Sequence, residues 1–236
     1  MRYHRFHFLT ILLFLLPLPS QHAAAADPHS AVRAVVRLLS HGASATIIHT
    51  EEGRTLLLGC GHAFFGPDRN KPIRIDGPDA PQGSALLIAC DHELDLSLVE
   101  VKSGPVKYAA RVAGPNYRPG RRLLSVGFDE MKTPATERPA TIVGSDERLT
   151  FTRERPWHGR SGGALLDRDS GVLIGVVQGY ETGPPWYGLY ASHAAIVRFL
   201  RHNGWSVSGK ERVEQGRGAE RRPAPALPRF HEQCPT

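Results

Sequence analysis

The chain has 236 residues, 41% of them hydrophobic and 22% charged, enough to bury one core of ordinary size or two small fused barrels. Its formal net charge is +6, but Arg2 and Arg5 supply two of these charges, and residues 209–236, with six Lys/Arg against four Glu, supply a net two more. The remaining body carries only +2, which argues against nucleic-acid binding.

Arg2 and Arg5 precede an apolar run over residues 8–16, too short to span a bilayer comfortably, and small residues follow at Ala23, Ala24, Ala25 and Ala26. This is the layout of a secretory signal over residues 1–26, with an uncleaved anchor as the alternative. The expected setting is therefore secreted or periplasmic, with no stable membrane insertion after signal removal. Residues 31–39 read as a short helix. Residues 45–50 and 55–58 flank Glu51-Glu52-Gly53-Arg54 as a hairpin with glycine at its turn. Strands are predicted at 84–89 and 96–101, the second from β-branched content and length more than from clean alternation. Gly66-Pro67, Gly77-Pro78, Gly104-Pro105 and Gly114-Pro115 punctuate short strands and disfavour long helices. Residues 102–119 connect two halves. A second strand set follows at 123–128, 140–143, 148–152, 163–166, 172–178 and 187–190. A helix is predicted over 194–201, where Ile196, Val197 and Leu200 share a face and Ser192 is placed to cap it. Residues 209–236 are rich in Pro, Arg, Glu and Gly and are predicted to be a disordered tail.

Three motifs carry chemistry. Gly159-Arg160-Ser161-Gly162-Gly163 sets a serine between glycines, which permit a sharp turn and let a carbonyl approach the backbone. A serine hydroxyl is a poor nucleophile until a base takes its proton, and the base needs an orienting partner. His62, in Gly59-Cys60-Gly61-His62, supplies the base. Asp95, in Asp95-Leu96-Ser97-Leu98, supplies a carboxylate to fix the tautomer; Asp91 is its competitor, but Asp95 directly precedes the apolar run. The catalytic assignment is Ser161, His62 and Asp95, with the amides of Gly159 and Ser161 as an oxyanion hole. Twelve histidines raise a metal-binding alternative, which fails on spacing, since neither His-Glu-x-x-His nor paired Cys-x-x-Cys occurs. No metal or cofactor is expected. In an oxidising compartment Cys60 and Cys90 are either a disulfide or two buried thiols, and sequence leaves both open.

Around these residues the chain resembles the chymotrypsin-like serine proteases, most closely compact bacterial trypsin-like and HtrA-like members, over about residues 42–200. Leu57-Leu58-Gly59-Cys60-Gly61-His62 resembles the strand and turn presenting the catalytic histidine. Asp95-Leu96-Ser97-Leu98 resembles the Asp-Leu-Ala-Leu segment, and Leu173-Ile174-Gly175-Val176-Val177-Gln178 and Gly188-Leu189-Tyr190-Ala191 resemble the strands lining the S1 pocket. The resemblance implies an all-β fold of two antiparallel six-stranded barrels, at about 40–105 and 119–191, and a short C-terminal helix at 193–202. The cleft between the barrels would take a protein or peptide substrate. Arg160 stands where digestive members carry an aspartate that pairs with a freed N-terminus, so no such activation switch is expected. Arg155, six residues before Ser161, disfavours cleavage after Lys or Arg; it either selects acidic residues or faces water. Gln178 and Tyr180 are expected to offer backbone groups to an extended substrate strand. Residues 209–236 are too short and polar for a PDZ domain. Two functions fit: an exported serine endopeptidase, or a silent homologue that binds peptides in the same cleft.

Overall fold

The computed structural model describes residues 28–66, 71–114 and 122–207. The signal expected over residues 1–26 and the disordered tail expected over 209–236 lie outside the described residues. The elements run α1 (Pro28–Arg33), β1 (Val35–Leu38), β2 (Ala43–Glu51), β3 (Arg54–Gly59), β4 (Ile75–Asp76), β5 (Ser84–Asp91), β6 (Leu96–Lys102), β7 (Leu123–Gly127), β8 (Thr136–Ala140), β9 (Ile142–Ser145), β10 (Leu149–Thr152), β11 (Ala164–Asp167), β12 (Leu173–Tyr180), β13 (Gly188–Ala191) and α2 (His193–His202).

Two antiparallel sheets result, in the orders β4-β1-β2-β3-β6-β5 and β8-β7-β11-β12-β13-β10-β9. The first has the six strands expected and the second has seven. The extra strand arises because β8 pairs with β7 while β9 pairs with β10, on either side of Thr141. A nearly continuous segment thus bends from one end of the sheet to the other and curls it toward closure. The helix read over 31–39 is corrected: α1 ends at Arg33, and Val35–Leu38 instead pairs with Ala43–Thr46 of β2. The adjacent β-branched Val35 and Val36 are poor helix formers, and the ladder satisfies their backbone groups.

Burial follows the pleat. Along β11, Leu165 packs inside the second sheet with Ile174, Val177 and Tyr190. Its neighbours Ala164 and Leu166 point the other way, into a core shared with the first sheet and with Ile196, Phe199 and Leu200 of α2. Both faces of the strand are covered, so apolar residues run consecutively instead of alternating. Ser192 Oγ accepts from the Ala195 amide (3.1 Å), the expected cap of α2. The shared core fixes the two sheets against each other, and the motif residues lie on loops at their junction.

Candidate active site

His62 stands on a single 3-10 turn after β3, and Asp95 lies just before β6, the strand beside β3. Strand pairing therefore brings residues 33 positions apart into contact. His62 Nδ1–H donates to Asp95 Oδ2 (2.8 Å), and the His62 amide donates to Asp95 Oδ1 (2.7 Å). Both carboxylate oxygens thus hold one residue, which sets ring position and tautomer together. Asp95 adopts φ 49°, a left-handed conformation uncommon outside glycine and of the kind that concentrates at functional sites. Asp91, the rival, caps its own turn by accepting from the amides of Glu93 and Leu94 (2.9 Å each). Cys60 Sγ lies 3.6 Å from His62 Nε2. Burial works against a charged imidazole, but hydrogen bonds to Asp95 and Cys60, and then the charges of Cys60 and Asp95, outweigh it and raise the pKa.

No disulfide joins Cys60 to Cys90, so the bridge held open by the sequence is not formed. The register gives the reason: Gly59 and Cys90 both pair with Ser97, from opposite sides of β6. Two strand spacings, about 9–10 Å, thus separate Gly59 from Cys90, and the thiols face different partners, with Cys60 Sγ 3.6 Å from His62 Nε2 and Cys90 Sγ 3.7 Å from the Gly61 carbonyl oxygen.

The Ser161 loop is held by its own backbone. The His158 carbonyl accepts from the Glu130 amide (2.6 Å), and the Arg160 carbonyl accepts from the Gly163 amide (2.8 Å). In a trans peptide the N–H points away from the preceding carbonyl, so the amides of Gly159 and Ser161 are turned to the other side. Neither amide donates a hydrogen bond among the described residues. Gly159 needs φ 83° to make this turn. Gly162, at φ 82°, comes so close to the first sheet that a Cβ there would lie 2.1 Å from the Ser44 carbonyl oxygen and 3.0 Å from the Cys60 amide nitrogen. That approach sets the serine loop against the end of the histidine strand. Ser44 adds two ties: its amide donates to the Ser161 carbonyl (2.7 Å), and its hydroxyl donates to the Gly159 carbonyl (2.9 Å). Ser161 is half-buried, and its hydroxyl makes no hydrogen bond to His62 among the described residues. Such contacts often tighten only when substrate binds.

Arg160 points away from the cleft and is fully buried (0% exposed). Its Nε donates to Asp129 Oδ1 (2.8 Å), and a terminal nitrogen donates to the Ser125 and Thr136 carbonyls (2.6 and 3.2 Å). The second terminal nitrogen bonds Thr136 Oγ1. Burial opposes the Asp129 charge, but hydrogen bonds from Arg160, Thr136 and Arg138 hold its carboxyl below the usual carboxylate range. Arginine at this position thus finds an internal carboxylate.

On the substrate side, Gln178 Nε2 donates to the Leu94 carbonyl (2.7 Å) and so ties the second sheet to the Asp95 turn. Beyond Val177, which bonds Gly162 and Gly163, the β11 side of β12 has no ladder partner among the described residues. The backbone of residues 178–180 is therefore an open strand edge. Arg155 lies with its guanidinium 4.0 Å from the Tyr180 ring centroid. Sequence reasoning missed Ser44 and Asp129. Nothing local marks Ser44; the signal for Asp129 was the arginine at position 160, since a buried guanidinium implies a carboxylate within reach.

A sequence profile of the trypsin-like peptidase domain matches residues 43–176. No curated protein sequence matches the chain significantly. Among solved structures, a serine endoprotease from Yersinia pestis is similar with TM-score 0.59 and 19% identity, over 75% of this chain and 66% of its own. The inactive form of the Rv3671c protease, a protein of M. tuberculosis, gives TM-score 0.59 and 19% identity over 76% of this chain and 93% of its own. The HtrA-type protease AlgW, solved with a decapeptide, gives 0.54 and 23% over 66% of this chain and 50% of its own. These likenesses establish the two-sheet fold. The profile spans more than half of the sequence and takes in the histidine, aspartate and serine motifs, so the chain belongs to the trypsin-like peptidase domain family.

Proposed function

We propose that this protein is an exported serine endopeptidase that hydrolyses peptide bonds through an acyl-enzyme. Ser161 Oγ attacks the scissile carbonyl carbon as His62 Nε2 takes its proton. Asp95 holds the imidazole and stabilises its charged form. The tetrahedral oxyanion lies against the amides of Gly159 and Ser161, each such donor contributing about 2.7–4 kcal/mol. Collapse expels the amine, which receives the proton from His62. Water then attacks the ester by the same proton route, and Ser161 is regenerated. The substrate strand adds to the free edge at residues 178–180, beside Arg155 and Tyr180. Export rests on the sequence of residues 1–26.

The observation that carries this reading is the pair of amides beside Ser161 whose carbonyls are tied back and whose N–H groups are unengaged. A silent homologue has no use for an assembled oxyanion hole. A second reading, peptide binding without turnover, draws on the missing hydrogen bond between Ser161 and His62. Cleavage of a quenched-fluorescence peptide library separates the two. Wild type should cleave, Ser161→Ala should lose at least about 10⁴-fold in kcat/KM, and Asp95→Asn should lose about 10⁴-fold. A folded wild type that binds library peptides without cutting any would establish the second reading.

A further inference from the structure

Residues 155–158 lead directly into Gly159, and Tyr180 ends β12 opposite them. Between them lies a cavity of about 310 Å³ lined by Arg155, Pro156, Trp157, His158 and Tyr180. Its position beside the Gly159 amide and the open edge of β12 places it where a bound strand, its carbonyl at Gly159 and Ser161, would direct a side chain. Its lining is aromatic with one permanent charge. The Arg155 guanidinium stacks on the Tyr180 ring at 4.0 Å and lies 5.4 Å from the Trp186 centroid. His158 Nε2 and Tyr180 Oη meet at 3.4 Å across the rim.

The permanent charge of the cavity is that of Arg155. Arg155 holds rings only and makes no ion pair or hydrogen bond among the described residues. Neither of the carboxylates adjoining the cavity in sequence forms an ion pair with Arg155 among the described residues. Glu154 is committed to the Thr141 amide and hydroxyl (2.7 and 3.0 Å). Glu181 keeps Oε2 buried and without a partner. Ring stacking covers the faces of a guanidinium and leaves its in-plane N–H fork as the free surface. A lysine or arginine side chain entering here meets like charge. Arg155 is exposed, and an apolar side chain that displaces water from its fork supplies no acceptor in return. A carboxylate satisfies it with two charge-assisted hydrogen bonds.

We propose that this cavity receives an aspartate or glutamate side chain from the residue N-terminal to the scissile bond, with Arg155 as its ion-pairing partner. The inference rests on the peptide cleft described above, though not on turnover. Binding to the Ser161→Ala protein tests it separately from catalysis. Fluorescein-labelled hexapeptides, amidated at the C-terminus and identical but for one position, so that the label's own charge is common to all, are compared by anisotropy with Glu, Gln, Lys or Phe at that position. The Glu peptide should bind at least about tenfold tighter than the Gln peptide. The ratio should shrink as salt is raised and fall toward one in Arg155→Gln, with Arg155→Lys between. If the Gln variant fails to fold, the Glu/Gln ratio, its salt response and the Lys variant still decide the matter. Equal binding of Glu and Gln, tighter binding of Lys or Phe, or binding of none of the four would overturn the proposal. If cleavage is absent but the Glu/Gln ratio holds, the endopeptidase reading falls and the acidic pocket survives; cleavage without the ratio is the reverse.

Discussion

Replacing Arg160 with methionine tests how the nucleophile loop is held. The substitution keeps much of the side-chain volume and removes the guanidinium, with its bonds to Asp129, Ser125 and Thr136. Breaking one side of a buried pair costs about 3–5 kcal/mol. Here the lower end applies, because Asp129 is 14% exposed and keeps its bonds to Thr136 (2.8 Å) and Arg138 (2.8 and 2.9 Å). Arg138 pairs with the same carboxylate but is 44% exposed, so Arg138→Met should cost under about 1 kcal/mol. The contrast between the two arginines is the sharp part of the prediction. With m-values of about 1–3 kcal/mol/M, urea unfolding should show a midpoint lower by about 1–3 M for Arg160→Met, with unchanged slope. A double-mutant cycle with Asp129→Asn should return a coupling above about 1 kcal/mol. The Asp129 carboxyl is depressed in the fold, so its contribution is present above the unfolded carboxylate value and lost as pH falls through the folded one. The difference between wild type and Asp129→Asn should therefore close in acid. Equal costs for Arg160→Met and Arg138→Met, or additive effects in the cycle, would refute the reasoning.

Further expectations follow from the same geometry. The general base must be neutral to work, and Asp95 and Cys60 favour its charged form, so kcat/KM should climb with pH along a limb centred above the ordinary histidine value of about 6.5. Cys60→Ala should move that midpoint down, and an unmoved midpoint would clear Cys60 of any electrostatic part. Gly162→Ala should cost well over about 1 kcal/mol by thermal unfolding, since the new methyl would strike the Ser44 carbonyl in a left-handed backbone; a wild-type Tm would contradict the close approach. Alkylation under denaturing, non-reducing conditions should modify both Cys60 and Cys90, whereas peptides recovered with these two cysteines linked would contradict the strand register.

The sequence was most informative where chemistry and local pattern coincide. His62 and Asp95 each stand at the edge of an apolar run, and β3 and β6 pair so that the two meet. The hairpin at Gly53, the strand set and the cap at Ser192 follow from turn glycines, β-branched runs and a side-chain acceptor, all visible within a few residues. What stayed hidden depends on which strands are neighbours. The Cys60 and Cys90 spacing looked compatible with a bridge, because nothing in it reveals that β6 runs between their strands. Val35–Leu38 continues the helical pattern of the preceding residues, and its pairing partner, not that pattern, decides its state. β8, with Glu137, Arg138 and Pro139 in sequence, has no apolar signature; it is an edge strand that takes its hydrogen bonds from β7. The buried Asp129–Arg160 pair joins residues 31 positions apart, and only the improbability of an arginine beside a nucleophilic serine hinted at it.

The most direct test is covalent labelling of the folded protein with a fluorophosphonate, followed by peptide mass spectrometry to locate the adduct. The account predicts a single phosphonylated residue, Ser161, with labelling abolished in Ser161→Ala and slowed by orders of magnitude in His62→Ala. A folded wild type that takes no label, or that takes it at another serine, would contradict the proposed proton relay.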